Sequence, residues 1–159
     1  MKNNWTPLTP SDIPHFVETL RHYPLSMDDT ALKYPLQYFT LRINSCDTEY
    51  VKVPGMGYMA LDPILPHDAV IHFARDPSCR AKKRNYLDMG KSFMLWAFRA
   101  CQLFRITLAV VEGSYLGRVP FDLYAKMLGF THEGTLRQSR IINEKLYDVH
   151  IFGILRGEV

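Results

Sequence analysis

The stretch Lys126–Val159 leaves the chain few ways to end. Helical spacing runs up to Leu128 and is closed by Gly129, the residue type that turns left-handed at a helix terminus without steric cost. Phe130 then leads into a strand, and Asn143-Glu144 marks a turn. Leu146–Leu155, in which Tyr147, Val149, Ile151 and Phe152 partly alternate, reads as a second strand. The chain therefore finishes as helix, tight turn and hairpin.

Upstream, two elements are equally firm. Tyr86–Cys101 predicts a helix, because Met89, Phe93, Trp96, Ala97 and Ala100 fall on one face. Arg105–Val111 predicts a buried strand, and Val119–Leu128 the helix that Gly129 ends. Tyr50–Val53, a Pro54-Gly55 turn and Gly57–Leu61 predict a hairpin, followed by a loop over Pro63–Asp68 and a strand over Ala69–Ala74. Between that strand and the long helix, residues 75–85 are polar and basic. The first 48 residues carry weaker signals. Trp5–Leu8 predicts a short strand, and Ser11 a helix N-cap, with Ile13, Phe16, Val17 and Leu20 at helical spacing until Pro24. Asp28–Tyr34 predicts a short helix, and the alternation of Phe39, Leu41 and Ile43 a strand.

Together these elements predict one α/β domain over residues 1–159, with a variable part over 1–48 and a core over 49–159. Its sheet is mixed and mostly antiparallel, with helices on both faces. A chain of this length can bury about two-thirds of its unfolded surface in one core. No apolar run reaches the roughly 18 residues of a membrane span, and Met1–Trp5 lacks a signal-peptide pattern. Cys46, Cys79 and Cys101 form no Cys-x-x-Cys pair, so reduced thiols in a cytoplasmic protein are expected. The six histidines show no ligand spacing, and no metal is expected. A net charge of +3 suits an anionic cofactor but is too small to indicate nucleic acid by itself.

The C-terminal order, with Leu128-Gly-Phe-Thr-His-Glu-Gly-Thr-Leu-Arg137 and Tyr147-Asp-Val-His150, resembles the GNAT family of N-acetyltransferases, which have the acyl-coenzyme A N-acyltransferase fold. It is most similar to the ribosomal-protein alanine acetyltransferase branch. The resemblance covers roughly residues 86–159 and is topological before that. It implies acetyl-coenzyme A as cofactor and an amine of a protein, peptide or small molecule as acceptor. By position, Ile71, His72, Phe73 and Ala74 would meet the pantetheine arm. Lys82, Lys83, Arg84, Asn85 and Tyr86 would lie at the diphosphate, and Arg118 falls where many members carry an Asn.

The residues depart from that family at two places. The loop glycines that let backbone approach a diphosphate fall on Arg84 and Tyr86, and the nearest glycine, Gly90, lies inside the long helix. Gly90-Lys91-Ser92 lacks the upstream glycine of a phosphate loop and is set aside. The Lys82-Lys83-Arg84 cluster therefore reads as diphosphate contact, solvated loop, or protein or nucleic-acid contact. The family's late-helix tyrosine, which protonates the departing thiolate, falls on Ala125. Tyr124 is about 100° away round the helix and reads as a general acid or a core aromatic, with Tyr115 as a second candidate.

Acetyl transfer needs a base for the amine and N–H groups for the oxyanion. Glu112, at a strand end, is the first candidate base or an ordinary carboxylate, and His72 and Asp76 are alternatives. The divergent loop is also similar to that of small acetyltransferase-like proteins encoded by bacteriophages. That likeness leaves open a non-catalytic scaffold, a virion or structural protein, that binds protein or nucleic acid. Modification of a nucleic-acid base or aminated nucleotide is a third reading, and exposed N-terminal aromatics would suit an oligomer or partner protein.

Overall fold

In the computed structural model, residues 4–23, 31 and 33–159 are described. The elements run β1 (Thr6–Pro7), α1 (Ile13–Leu20), α2 (Pro35–Arg42), β2 (Glu49–Val53), β3 (Gly57–Ile64), β4 (Asp68–Arg75), α3 (Lys83–Ala100), β5 (Arg105–Val111), β6 (Tyr115–Leu116), β7 (Val119–Pro120), α4 (Phe121–Leu128), β8 (Thr131–Ile142) and β9 (Lys145–Leu155). Seven strands form one sheet in the order β1-β2-β3-β4-β5-β9-β8, and β6 with β7 makes a separate ribbon. Among the described residues, only the β4–β5 pairing is parallel. The expected mixed, mostly antiparallel sheet is thus present.

Alternation along the strands sorts the core onto two faces. Val51, Val53, Met59, Leu61, Ala69, Ile71 and Phe73 face α3 and α4, while Tyr50, Tyr58, Ala60 and Ala74 face α1 and α2. Helices therefore cover both faces. Phe93 of α3 is completely buried, stacked on Trp96 at 5.3 Å and met edge-on by Trp5 at 5.6 Å. Phe93→Ala is expected to cost about 3–5 kcal/mol of stability, read as a lowered urea midpoint at unchanged slope.

Gly90 shows why the long helix contains a glycine. A Cβ there would lie 3.0 Å from both the Tyr124 hydroxyl and a Leu128 methyl, so its role is the close approach of α3 to α4. Gly129 ends α4 at φ 101°, as its residue type requires. Asn143 and Glu144 carry φ 50° and 63°, the pair of positive values of a type I′ hairpin turn.

The N-terminal part differs from its sequence reading. Thr9, not Ser11, opens the first helical region, its backbone N–H donating to Asp12 Oδ2 at 3.1 Å before a short 3-10 turn feeds α1. Phe39–Ile43 is not a strand but belongs to α2 and its C-cap. Pro35 suits the first helical turn, and Phe39 and Ile43, four apart, share the inward face while Leu41 points to solvent. The helix expected over Asp28–Tyr34 falls largely outside the described residues. The long helix also starts earlier than its periodicity suggests, so Lys83, Arg84, Asn85 and Tyr86 occupy its first turn rather than a loop. Val119 and Pro120 belong to the β6–β7 ribbon instead of the last helix. No helix among the described residues is long and apolar enough to cross a membrane.

Candidate active site

The sheet opens at its centre. β4 pairs with β5 only at Asp68–Arg105, Ala69–Ile106 and Val70–Thr107. Beyond that, β4 continues to Arg75 against β3, and β5 to Val111 against β9, with no strand pairing between them. Each strand is thus half-paired along the gap, and its inner edge offers N–H and C=O groups that need partners. A cavity of about 510 Å³ occupies this opening. His72, Phe73 and Ala74 line one side, and Leu108, Ala109, Val110 and Val111 the other. Ser114, Tyr115, Gly117 and Phe121 border one end, while Phe39, Tyr50, Asp62, Pro63 and Arg140 border the wall under α2 and β8.

His72 stands on the cavity face of β4. One ring nitrogen, Nε2, lies 2.8 Å from the Asp62 carbonyl oxygen. A carbonyl only accepts, so this contact places the proton on Nε2 and leaves the Nδ1 lone pair free. The His72 side chain is exposed to the water of the cavity, although many protein atoms surround it within the opening. That desolvation, reinforced by Arg140 and Arg42, pushes the imidazole below its ordinary value of 6.5, against the opposing pull of Asp62. His72 is consequently neutral near pH 7.

Asp62 is engaged from behind. Arg42 Nε donates to it at 3.1 Å, Arg42 Nη2 completes a two-pronged pair, and the Tyr50 hydroxyl donates to the same carboxylate. Burial and this carboxylate push the Tyr50 phenol well above its usual range, so it remains a donor. Arg140 reaches the same region from β8. A register shift between Leu136 and Arg140 breaks the two-residue alternation there, and such bulges re-aim side chains.

The residues singled out in the sequence are dispersed by the fold. Tyr115 is half exposed and borders the cavity. Tyr124 is buried in the core, its ring 5.4 Å from Phe73 and its hydroxyl donating to the Tyr86 carbonyl at 3.3 Å. Desolvation raises its phenol above the usual range. Glu112 is exposed and is not among the cavity residues, and Arg118 is exposed in the β6–β7 turn. Asp76 is held ionised by hydrogen bonds from the Ser78 hydroxyl and N–H, at 2.6 and 2.8 Å, which lower its pKa and make it a poor base.

The implied cofactor fits the opening better than it fits the loop. His72, Phe73 and Ala74 line the opening, whereas Ile71 is fully buried in the core. In the loop, the N–H groups of Asp76, Ser78, Cys79 and Ala81 already have partners in Met56 O, Asp76 Oδ1, Asp76 O and Cys79 Sγ. Those four amides are engaged within the protein. Lys82 and Asn85 are exposed, Arg84 pairs loosely with Asp88 at 3.8 Å, and Tyr86 turns inward to donate to Met56 O at 2.7 Å. Sequence reasoning missed Arg75. Its guanidinium lies over the Tyr86 ring, donates to Cys79 O at 2.9 Å and packs against Gly117, where a Cβ would fall 2.6 Å from Nη1. It brings a cation to the end of the opening, while Arg140 and Asp62 were equally unannounced by any local motif.

The likeness to solved structures spans almost the whole chain. A spermidine N-acetyltransferase from Vibrio cholerae, crystallised with CoA and spermine, superposes with a TM-score of 0.76 over 97% of this chain and 95% of that one, at 16% identity. The chain has the N-acetyltransferase fold. The ribosomal-protein-S5-alanine acetyltransferase from Vibrio fischeri gives 0.71 over 96% and 92%, at 17% identity. A probable acetyltransferase gives 0.71 over 98% and 93%, at 16% identity. No protein-family model and no curated protein matches the sequence. Among the described residues, no group of three or more His, Cys, Asp or Glu side chains is arranged to hold a metal ion.

Proposed function

We propose that this chain is an acetyl-coenzyme A-dependent N-acetyltransferase that acts on an amine. The observation carrying the proposal is the parting of β4 and β5 beside a cavity, in a fold otherwise continuous from β1 to β8. The unpaired edges suit an amide-bearing arm, which supplies strand-like hydrogen bonds without needing particular side chains. When bound, the cofactor would present its acetyl group as an activated thioester. His72 would take the amine proton at Nδ1 while its Nε2–H holds the ring against Asp62 O. Of Glu112, Tyr115 and Tyr124, only Tyr115 borders the cavity, and its hydroxyl is the proton donor of this scheme. Inner-edge N–H groups would stabilise the developing oxyanion. Arg75, with Arg84 and the exposed Lys82, would supply positive charge to the diphosphate. The three free cysteines suit a reducing, cytoplasmic setting.

Acetyl-coenzyme A at one hundred times its dissociation constant is expected to stabilise the protein by about 2.7 kcal/mol. For a chain of this size that is a rise of roughly 5–10 °C in Tm. A flat melting curve at millimolar cofactor would overturn the proposal. It would favour the second reading, a non-catalytic scaffold of the kind bacteriophages encode, for which the self-satisfied loop amides are the specific support.

A further inference from the structure

The end of the cavity that carries Asp62 also carries Arg140. Among the described residues bordering it, Asp62 is the one carboxylate, and Arg42 and Tyr50 already occupy its oxygens. Arg140 borders the same end, is half-buried, and has no carboxylate within 4 Å among the described residues. A guanidinium withdrawn from water without a counter-charge is costly, and a planar carboxylate is the group its fork matches. Phe39, Tyr50 and Pro63 offer apolar surface close by.

We propose that the acceptor is a small amine that also carries a carboxylate and an apolar body, with the carboxylate held by Arg140 and the amine turned toward His72. This rests on the acetyl-transfer reading and adds the acceptor class to it. In the transfer, the amine nitrogen bonds to the acetyl carbon as that carbon's bond to sulfur breaks. The amine proton passes to His72, and the sulfur leaves with the bonding pair and is protonated from Tyr115. Among the described residues of this wall a polyamine would meet no carboxylate beyond the engaged Asp62, and it would add positive charge beside Arg140.

The test is isothermal titration calorimetry on the full chain, with and without saturating coenzyme A. Apolar and aromatic L-amino acids are compared with the same amines lacking the carboxylate, and with spermidine. A charge-assisted pair to Arg140 predicts at least about tenfold tighter binding of the carboxylated member of each pair. Arg140→Gln is expected to abolish that preference and Arg140→Lys to keep part of it, with melting temperatures close to the parent. Equal binding of the decarboxylated amines or spermidine overturns the inference, as does a preference that survives in Arg140→Gln or the failure of every amino acid to bind. Coenzyme A binding is recorded on the same samples. If it binds without any carboxylate preference, only the acceptor class falls. If it does not bind, acetyl transfer falls, while the carboxylate preference is still read on the cofactor-free protein.

Discussion

His72→Gln is expected to lower acetyl transfer by about 10²–10⁴-fold while leaving coenzyme A binding within a factor of a few. Glutamine nearly preserves the size of the ring and can still donate an N–H toward the Asp62 carbonyl. The substitution therefore removes the proton acceptor and little else. Besides the high-pH limb from deprotonation of the acceptor ammonium, the parent kcat/KM should rise with pH along a limb lying below the ordinary histidine value of 6.5, because desolvation by surrounding protein atoms and the two nearby arginines disfavour the imidazolium. His72→Gln should lose that limb. The same shift has a stability consequence with a definite sign. The folded pKa lies below the unfolded one, so between them the unfolded chain binds more protons, and stability falls as pH drops through 6.5. Denaturant titrations of the parent and His72→Gln at pH 7.5 and 5.5 should therefore differ in slope with pH. Unchanged turnover in His72→Gln would remove this residue as the base and return Glu112, acting through water, to consideration.

Ala109→Trp should silence the site by bulk alone. Ala109 lies on β5 opposite Ile151, its side chain open to the cavity rather than packed in the core. An indole there has space to enter, so stability should change by no more than about 0.5 kcal/mol, as for other substitutions made outside packed contacts. Turnover should drop more than about 100-fold, because displacement of a reactant by even 1 Å carries a penalty of that order. The pair of measurements is decisive: an intact melting curve with full activity would mean that the chemistry happens outside this cavity.

Local signals announced the second half of the chain well. Gly129, the Asn143-Glu144 turn and the apolar face of the long helix each depend on a few neighbouring residues, and each appears where its chemistry requires. The N-terminal part was harder because two periods coincide. Phe39, Leu41 and Ile43 satisfy a two-residue alternation, but Phe39 and Ile43 are also one helical turn apart, and only burial of Phe39 with exposure of Leu41 separates the cases. The site was less legible than the fold. Ala74 and His72 could be placed by their strand, but which way His72 faced depended on its pairing with Ala60 and on the contact with Asp62 O. Arg140 gave no warning, because a register shift in β8 decides where it points. Tyr124 stayed open between general acid and core aromatic, because its position on a short helix said nothing of the contacts that α3 would make with its hydroxyl.

The three residue pairs that join β4 to β5 have one more implication. Where recognition is written in peptide groups, side chains along the gap are released from the duty of reading the ligand and can drift under packing constraints alone. A cleft of that kind would tolerate replacement of almost every letter around it, and this chain, at 16–17% identity, keeps the architecture of those neighbours at TM-scores of 0.71 to 0.76.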